Sequence, residues 1–553
     1  IKINFLLILS SLFFFTNTYG NEKFVGFIDS LQGEAFTTNG EETVKLNEFD
    51  QIFLNQKIIV GSNSSATISF VDNSFLTLDS NAEFVVEKFE DTSEEPTFSL
   101  SMINGKFSFE SGRIAKAAKG LMKILLPGKE KNDLEIKSST MILGLRGTLI
   151  TGSNSETSKK VSLIEDSLGK VGEINIDYGG ETITINEPSS GINISENNEI
   201  QNTILNEEES AEVKNLIKEI TIKSATQSEE KIERAIAKQL ASGTIPDANG
   251  DGIADSADVE AYKAELLGLK KSKLDYVVEQ STDDLSLLSD IIVNSNSDQS
   301  MGLMENMMEN NSESASLLMT EIVEQNFDIF SHVSASQTGN FENLRETIVT
   351  EMIQDDGAYV ADTMAQMMAV GDTAMGAYMM NEIVNAQPID GDQRNLAMDV
   401  LATFTEVASD KMDAYMQADP SMMNNFTQSA FQNADEGDAE MIADMMQQTS
   451  GKNSAYLMSS MMANNDTMIT SVYGNLADQE FDIFNHIETA KMDTPITGDD
   501  PFFSSTGTDP LTLIPGDQSF TPGTDPANMM SSQATFYDDL KGQIFTEIIN
   551  NSD

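Results

Sequence analysis

Apolar and polar residues alternate in short runs through the first part of the chain, which is the period of a half-buried β-strand. Such runs occupy residues 25–28, 51–54, 66–70, 75–78, 84–86, 106–109, 161–164, 173–176 and 181–185. The turn signals Asn39-Gly40, Asp72-Asn73 and Asn104-Gly105 separate several of them. The pattern predicts an antiparallel, all-β domain over residues 22–152, with additional strands over residues 153–198.

From about residue 199 onward the apolar residues recur at intervals of three and four residues, which is the spacing of a helix with one buried face. Residues 199–273 predict a helix–loop–helix, with one helix over 207–240 and a second over 259–267. Residues 274–493 continue the helical spacing with little proline and much methionine. The predicted fold class is a multidomain α+β protein, in which an N-terminal all-β domain precedes a mainly α-helical, acidic, Met-rich region.

The first 20 residues have the pattern of an export signal. Lys2 precedes an apolar run from Phe5 to Phe15, and the residues that follow suit cleavage after Gly20. This run has 11 residues, whereas a membrane-spanning helix needs about 20. We therefore expect residues 1–20 to be a cleaved signal peptide rather than an uncleaved anchor, and the mature chain to have no stable transmembrane anchor.

The end of the chain changes composition twice. Residues 494–535 are rich in Pro, Gly and Thr, which predicts an extended linker. Residues 536–553 predict an amphipathic helix whose apolar face carries Phe536, Leu540, Ile544 and Ile548. This helix is expected either to dock on the helical region or to bind a partner.

The charge of the chain excludes several functions. Among 553 residues there are 33 Lys and Arg against 89 Asp and Glu, so the formal net charge is −56. Nonspecific nucleic-acid binding depends on basic residues, so no nucleic-acid partner is expected. The absence of Cys and the presence of only two His leave no basis for disulfides, thiolate metal sites or Ser-His-Asp catalysis. We therefore predict no catalytic residues, no organic cofactor site and no enzymatic activity.

Methionine is concentrated in the helical region. Twenty-five of the 30 methionines lie between Met301 and Met492. They are expected to fill the core between helices, to form an adaptable groove for a partner, or to bind Cu(I) through thioether sulfur. The first candidate ligands for Cu(I) are Met301, Met304, Met307 and Met308.

Short duplications occur in the same region. Phe327–Val333 recurs as Phe481–Ile487, and the pattern of Met364–Thr373 recurs at Met458–Thr467. Because the two offsets are 154 and 94 residues, the duplications argue against a regular solenoid period.

A 12-residue acidic segment between the two predicted helices has the spacing of a calcium loop. Oxygen-bearing side chains occupy positions 1, 3, 5, 9 and 12, and Gly252 stands at position 6, where such a loop turns sharply. The predicted calcium ligands are the side chains of Asp247, Asn249, Asp251, Asp255 and Asp258 and the backbone carbonyl of Ile253. With Asp at position 12 the segment resembles dockerin-type loops. The alternative is an acidic turn that binds no metal.

The β-domain resembles a known family. Ile58–Leu78 contains a glycine, a Ser/Ala turn, a strand, an Asp-Asn-Ser turn and a second strand. Val25-Gly26 and Leu31–Ala35 precede it, and Leu143–Thr148 closes with Gly-Leu-Arg-Gly-Thr. This order resembles the FecR-type domain. The resemblance implies a β-fold that lies outside the cytoplasmic membrane, as in the periplasmic sensor halves of anti-sigma regulators of iron uptake. Because the expected leader directly precedes the β-domain, we expect a stand-alone extracytoplasmic module rather than a direct anti-sigma regulator.

The same resemblance draws attention to Gly147-Thr148. Some members of the family cleave themselves at a Gly-Thr bond, through attack of the Thr hydroxyl on the preceding carbonyl. The alternative is that Gly147 provides a tight turn and Thr148 starts a strand.

Taken together, these features predict an exported protein that binds calcium and has a non-enzymatic binding or envelope-sensing role. The alternative is a secreted, calcium-dependent surface or adhesive protein. The expected location is the periplasm, the medium or the cell surface, and the expected partner is an envelope or surface protein that the sequence does not identify.

Overall fold

The computed structural model describes residues 23–38, 43–90, 96–114, 134–138, 141–147, 149–166, 170–227, 229–242, 245, 248, 255–280, 285–355, 357–386, 395–493, 540–546 and 549. Its internal contacts divide the chain into two compact units, Ile1–Tyr276 and Val277–Asp553. No helix in the described part of the chain is long and apolar enough to cross a membrane.

The described part of the first unit contains 17 β-strands, followed by helices. The strands are β1 Phe24–Gln32, β2 Ala35–Thr38, β3 Thr43–Leu46, β4 Gln51–Phe53, β5 Lys57–Val60, β6 Ser65–Phe70, β7 Phe75–Leu78, β8 Glu83–Glu90, β9 Thr97–Glu110, β10 Leu134–Lys137, β11 Met141–Arg146, β12 Leu149–Asn154, β13 Ser158–Ile164, β14 Glu173–Tyr178, β15 Glu181–Ile185, β16 Ser190–Ser195 and β17 Ile200–Ile204. The helices are α1 Glu207–Thr226, α2 Glu229–Ser242 and α3 Ser256–Gln280, and the boundary between the units falls within α3.

The strands form two sheets that share one strand. Sheet 1 has the order β4-β1-β6-β7-β9-β12-β13-β16-β17. Sheet 2 has the order β3-β2-β5-β8-β9-β10-β11-β14-β15. The prediction of an antiparallel domain is correct except for the parallel pair β9–β10. Residues 111–133 join these two strands, and a parallel pair needs a connection of this length.

The predicted turn at Asn104-Gly105 is wrong. β9 runs from Thr97 to Glu110 without interruption, and these two residues lie inside it. Gly105 has a φ of 102°, and a Cβ there would overlap the backbone of Ala82. The first part of β9 pairs with β8 and β10 in sheet 2, whereas its last part pairs with β7 and β12 in sheet 1. Gly105 therefore marks the crossing of the strand between sheets and does not end it.

The turn between β6 and β7 behaves as expected. Asn73 has a φ of 69°, in the left-handed region that Asn tolerates better than other side chains. The Ser74 backbone N–H donates to the Asp72 carboxylate at 3.1 Å, and the Asn73 N–H donates to the Phe70 carbonyl at 3.0 Å. An Asx-type turn of this kind joins the two strands tightly.

Apolar side chains from the two sheets form one main core. An aromatic cluster lies near its centre, in which the ring centroid of Phe98 is 4.9 Å from Phe70, 5.0 Å from Phe89 and 5.8 Å from Phe109. All four side chains are at most 3% exposed. Edge-to-face contacts such as these stabilise the core beyond the burial of area alone.

The second unit is helical in its described part. Its helices are α4 Ser286–Asn294, α5 Ser297–Asn311, α6 Ala315–Glu324, α7 Ile329–Ser334, α8 Phe341–Gln354, α9 Tyr359–Val370, α10 Thr373–Ala386, α11 Leu396–Ala408, α12 Met412–Ala418, α13 Pro420–Gln432, α14 Ala439–Gln448, α15 Gly451–Asn464, α16 Ile469–Asp478 and α17 Ile483–Asp493. A row of neighbouring helices runs α4-α6-α9-α11-α13-α15-α17. These helices and the two sheets of the first unit confirm the predicted α+β fold class.

The duplicated sequences form matching local structures. Asp328 accepts a hydrogen bond from the Ser331 N–H and Asp482 accepts one from the Asn485 N–H, each at 3.0 Å. In both copies the phenylalanine ring before the capping Asp lies 5.1 Å from the histidine ring. The duplication therefore preserves a helix start and the aromatic contact that packs against it.

The methionines of α5 lie mostly in the core. Met301, Met304 and Met307 are each 1% exposed, and Met308 is partly exposed. Residues at this spacing share one helix face, and that face is turned inward. This placement agrees with methionine as a filler of the core between helices.

Residues 540–546 are helical and pack on other helices of the second unit. Leu540 and Ile544 are at most 1% exposed, and the Phe545 ring stacks on Phe484 at 4.8 Å. Lys541 Nζ lies 2.5 Å from a carboxylate oxygen of Glu488. Of the predicted apolar face, Phe536 and Ile548 lie outside the described residues. The described part packs against α17 of the helical region.

Replacement of Gly105 tests the crossing point of β9. We expect Gly105→Ala to lower the free energy of unfolding by about 2–4 kcal/mol, because the new Cβ is strained at positive φ and overlaps Ala82. Gly268→Ala is the control, since Gly268 lies in α3 and a Cβ there would meet nothing within 4 Å beyond its own helix. Its expected effect is a gain of about 0.5–1 kcal/mol. Urea denaturation followed by circular dichroism measures both, and equal midpoints for Gly105→Ala and wild type would contradict the interpretation.

Candidate functional site

The predicted calcium loop lies between α2 and α3. Helix α2 ends at Ser242, and α3 begins at Ser256. Two of the predicted ligands, Asp255 and Asp258, belong to the described residues. The other four, Asp247, Asn249, Asp251 and Ile253, lie outside them. Within the described ranges no group of three or more acidic or histidine residues could hold a metal ion.

The two described ligands sit at the start of α3. The Asp255 N–H donates to Asp258 Oδ2 at 2.8 Å, and the Ala257 N–H donates to Asp255 Oδ1 at 2.7 Å. Asp258 is fully buried, whereas Asp255 is exposed. The carboxylate of Asp258 is therefore folded back toward the loop from the first turn of the helix. An acidic residue in this position also interacts favourably with the N-terminal end of the helix dipole.

Both helices beside the loop pack on the β-domain. Ile232 and Ile236 of α2 and Tyr262 and Leu266 of α3 form a small apolar cluster with Phe27, Phe49 and Ile245. Phe27 belongs to β1, and Phe49 lies in the turn between β3 and β4. The two ends of the loop are therefore attached to the β-domain through their helices.

Polar contacts fix the same turn. The Tyr262 hydroxyl donates to the Phe49 carbonyl. Gln239 Nε2 donates to Asp50 Oδ1 at 2.6 Å, Gln51 Nε2 donates to Glu265 Oε2 at 3.1 Å, and Lys231 Nζ lies 3.1 Å from Glu48 Oε2. Burial raises the pKa of Asp50 and of Glu265 and, to a greater extent, that of Tyr262. Each residue from Glu48 to Gln51 thus has a partner on α2 or α3.

Helix α1 covers a neighbouring part of sheet 1. Ile217 is buried with Leu149, Ile164 and Leu205, beside the partly buried Val213 and Ile220. Lys214 Nζ also lies 2.8 Å from Glu165 Oε2. We use the term cap for α1, α2 and residues 256–276 of α3, which together cover this face of the sheet.

The expectation of one helix over 207–240 is wrong. The chain leaves α1 at Gln227, whose backbone is extended with φ −56° and ψ 128°. The Gln227 side chain donates from Nε2 to the Asp29 carbonyl at 3.3 Å. The break lets α1 and α2 pack on different parts of sheet 1. No Gly or Pro marks it in the sequence, so the helical spacing alone could not show it.

A small cavity lies between the cap and sheet 1. It offers about 30 Å³ to the centres of water-sized molecules and is lined by both aromatic and polar side chains. Asp29, Ser69 and Lys270 are among the polar ones. Asp29 is 1% exposed and accepts a hydrogen bond from Ser224 Oγ at 2.9 Å. Sequence reasoning did not identify this site, although the single acid in the apolar strand Val25–Leu31 was an available signal.

Burial changes the pKa values of both charged groups in this cavity. Burial raises the pKa of the Asp29 carboxyl to about 6, although the Ser224 hydrogen bond and the charges of Lys231 and Lys223 act in the opposite direction. Burial lowers the pKa of the Lys270 ammonium to about 8. Each charged form is therefore disfavoured by its low-dielectric surroundings.

The Gly147-Thr148 bond is only partly described. Gly147 has a φ of 58° and lies between β11 and β12, while Thr148 lies outside the described residues. A positive φ at Gly147 agrees with a tight turn. Cleavage at this bond stays a prediction that intact-mass measurement can test.

Comparisons with known proteins place part of this unit in a family. Residues 56–169 match the family described as FecR protein, so this part of the chain is a FecR family domain. The resemblance drawn from the sequence is confirmed for these residues. No curated protein matches the chain.

Two crystal structures of a candidate anti-sigma factor from Parabacteroides distasonis ATCC 8503 are similar to the chain. Their sequences are 10% and 12% identical to it, and both have a TM-score of 0.20. Each match covers 27% of this chain and 59% of the other. A TM-score of 0.20 is too low to carry an argument about architecture or function.

Removal of one hydroxyl tests how the cap holds the β3–β4 turn. We expect Tyr262→Phe to lower the free energy of unfolding by about 1–2 kcal/mol, because the buried Phe49 carbonyl loses its donor. Tyr178→Phe is the control, since its hydroxyl donates to Asn198 at an exposed position, and it should change stability by less than about 0.5 kcal/mol. Equal effects of the two variants in urea denaturation would contradict the role of this contact.

Proposed function

We propose that this protein is exported and acts as a non-enzymatic binding module with an envelope-sensing role. The observation that carries the proposal is the FecR family domain at residues 56–169. Proteins of this family are regulatory rather than enzymatic, and the acidic, Cys-free composition agrees with a role in recognition. The proposed location is the periplasm or the cell exterior, as the pattern of residues 1–20 indicates.

The proposal assigns binding to the first unit. Its β-domain has two sheets whose outermost strands are short, and β17 pairs on one side with β16 in the described ladders. Ile204 of β17 is 83% exposed. The proposed partner is a protein of the envelope or surface.

We also propose that the loop from Asp247 to Asp258 binds calcium. Its support is the spacing of five oxygen side chains around Gly252, together with the inward position of Asp258 at the start of α3. When bound, calcium would offset two of the four negative charges that the carboxylates of Asp247, Asp251, Asp255 and Asp258 carry. Because α2 and α3 both pack on the β-domain, metal binding would also favour the docked arrangement of the two helices.

Calcium titration tests this site. We expect about 10 mM calcium to raise the free energy of unfolding of the first unit by about 1–3 kcal/mol, given the affinities of extracellular calcium modules. The double variant Asp247→Asn/Asp251→Asn should lose this gain. The control Glu212→Gln/Glu219→Gln, which removes two exposed carboxylates from α1, should keep it. Magnesium at the same concentration should have little effect, and an equal response of both double variants would overturn the assignment.

Fractionation of cells that express the full chain tests the location. We expect the protein outside the cytoplasm, with an N-terminus at Asn21 by mass spectrometry, because signal peptidase would cleave after Gly20. Protein retained in the cytoplasm with residues 1–20 attached would contradict the proposal. Release of surface-bound protein by a calcium chelator would instead favour the adhesive alternative.

A further inference from the structure

Asp29 of β1 and Lys270 of α3 line the cavity under the cap from opposite sides. Asp29 Oδ1 accepts from Ser224, whereas Asp29 Oδ2 has no hydrogen-bond partner among the described residues. Ser69 Oγ, which also lines the cavity, lacks one in the same part of the chain. The Lys270 ammonium donates to the Gln227 carbonyl, at the break between α1 and α2. A buried carboxylate is thus held with one oxygen unsatisfied, which is costly in an apolar setting.

Fewer buried apolar side chains attach the cap than form the main core of the β-domain. The cap packs through two apolar clusters, one around Ile217 and one around Tyr262, and both are separate from the main core between the sheets. Segments held by few buried contacts open at a lower free energy than the global unfolding transition. We therefore expect the cap to open at a lower free energy than the sheets.

We propose that Asp29 and Lys270 form a proton-operated latch that sets how tightly the cap is held on sheet 1. The latch goes beyond the proposed function, and the contacts that support it include neither the calcium loop nor the export signal; its test is made at one fixed calcium concentration. Opening would expose Phe27 and Phe49, which the cap covers in the docked state.

The direction of the effect follows from the burial of each group. The pKa of Asp29 is about 6 when docked and 3.8 when exposed, so the docked state binds this proton more tightly. Docking is strengthened as pH falls below about 6 and weakened as pH rises through 6. The pKa of Lys270 is about 8 when docked and 10.5 when exposed, so docking is strengthened as pH rises above 8. The attachment of the cap to sheet 1 is therefore weakest between about pH 6 and pH 8, where both Asp29 and Lys270 are charged.

Other charged groups at the interface between the cap and sheet 1 also affect the pKa values of Asp29 and Lys270. Lys223 of α1 and Lys231 of α2 favour the Asp29 carboxylate, while Glu48 of the β3–β4 turn disfavours it. Asp29 itself and Glu229 of α2 favour the Lys270 ammonium, but burial outweighs both. Asp50 and Glu265, whose pKa values burial also raises, add a smaller dependence of the same sign as that of Asp29. Both histidines of the chain, His332 and His486, belong to the second unit.

Hydrogen exchange with mass spectrometry on the full chain tests the latch. After correction for intrinsic exchange rates, we expect peptides from 207–242 and 256–276 to be about tenfold more protected at pH 5 than at pH 7.5. Peptides of β14, away from the cap, should change by less than about twofold. A change of the same size in β14 would mean global unfolding and would overturn the latch.

Two substitutions complete the test. In Asp29→Asn the cap peptides should be more protected from exchange than in wild type at pH 7.5, and their protection should lose most of its dependence on pH. The reason is that a neutral side chain keeps the Ser224 contact without the buried charge. Asp79→Asn, which removes an exposed carboxylate from the same domain, should behave as wild type. An unchanged pH profile in Asp29→Asn would overturn the proposal. The wild-type profile remains decisive if that variant fails to fold, because a flat profile between pH 5 and 7.5 also overturns it.

Discussion

The first unit depends on one strand that belongs to two sheets. β9 pairs with β8 and β10 through its first part and with β7 and β12 through its last part. The change of partner occurs at Gly105, where the backbone adopts a φ that L side chains rarely adopt. Strands on both sides of β9 take their register from it, so the core around Phe98 can close only when this crossing is made.

The fold class and many strands could be predicted because alternation records which face of a strand is buried. In β14, for example, Ile174 and Ile176 are buried whereas Glu173 and Asn175 are only partly buried, as the pattern indicates. The sequence analysis did not place individual helix starts, although residues such as Asp328 and Ser450, whose side chains accept backbone hydrogen bonds at a helix start, were an available signal. The pattern could not show that β9 continues through Asn104-Gly105, because a glycine at positive φ serves a turn and a sheet crossing equally well.

The sites differ in how far the sequence reveals them. A calcium loop has a fixed linear spacing, so all six proposed ligands fall within Asp247–Asp258 and could be named from the sequence. The cavity instead joins residues that are far apart, since Asp29 meets Ser224 across 195 positions. Only the packing of the cap on β1 brings them together. The helix break at Gln227 is hidden for the same reason, because the contact with Asp29 that accompanies it is tertiary.

A buried acid of this kind is difficult to explain as a source of stability. Desolvation of the Asp29 carboxylate outweighs its hydrogen bond and its favourable charges, as its raised pKa indicates. An apolar or amide side chain at this position would pack without that cost, whereas a carboxylate responds to protons. Lys270 differs from Asp29 in sign, and burial disfavours its charge more than the nearby Asp29 carboxylate favours it. At neutral pH burial disfavours both opposite charges, and this weakens the attachment of the cap. A permanent interface would instead be expected to be strongest at neutral pH. The arrangement is therefore better suited to a cap that opens than to one that serves only to close the fold.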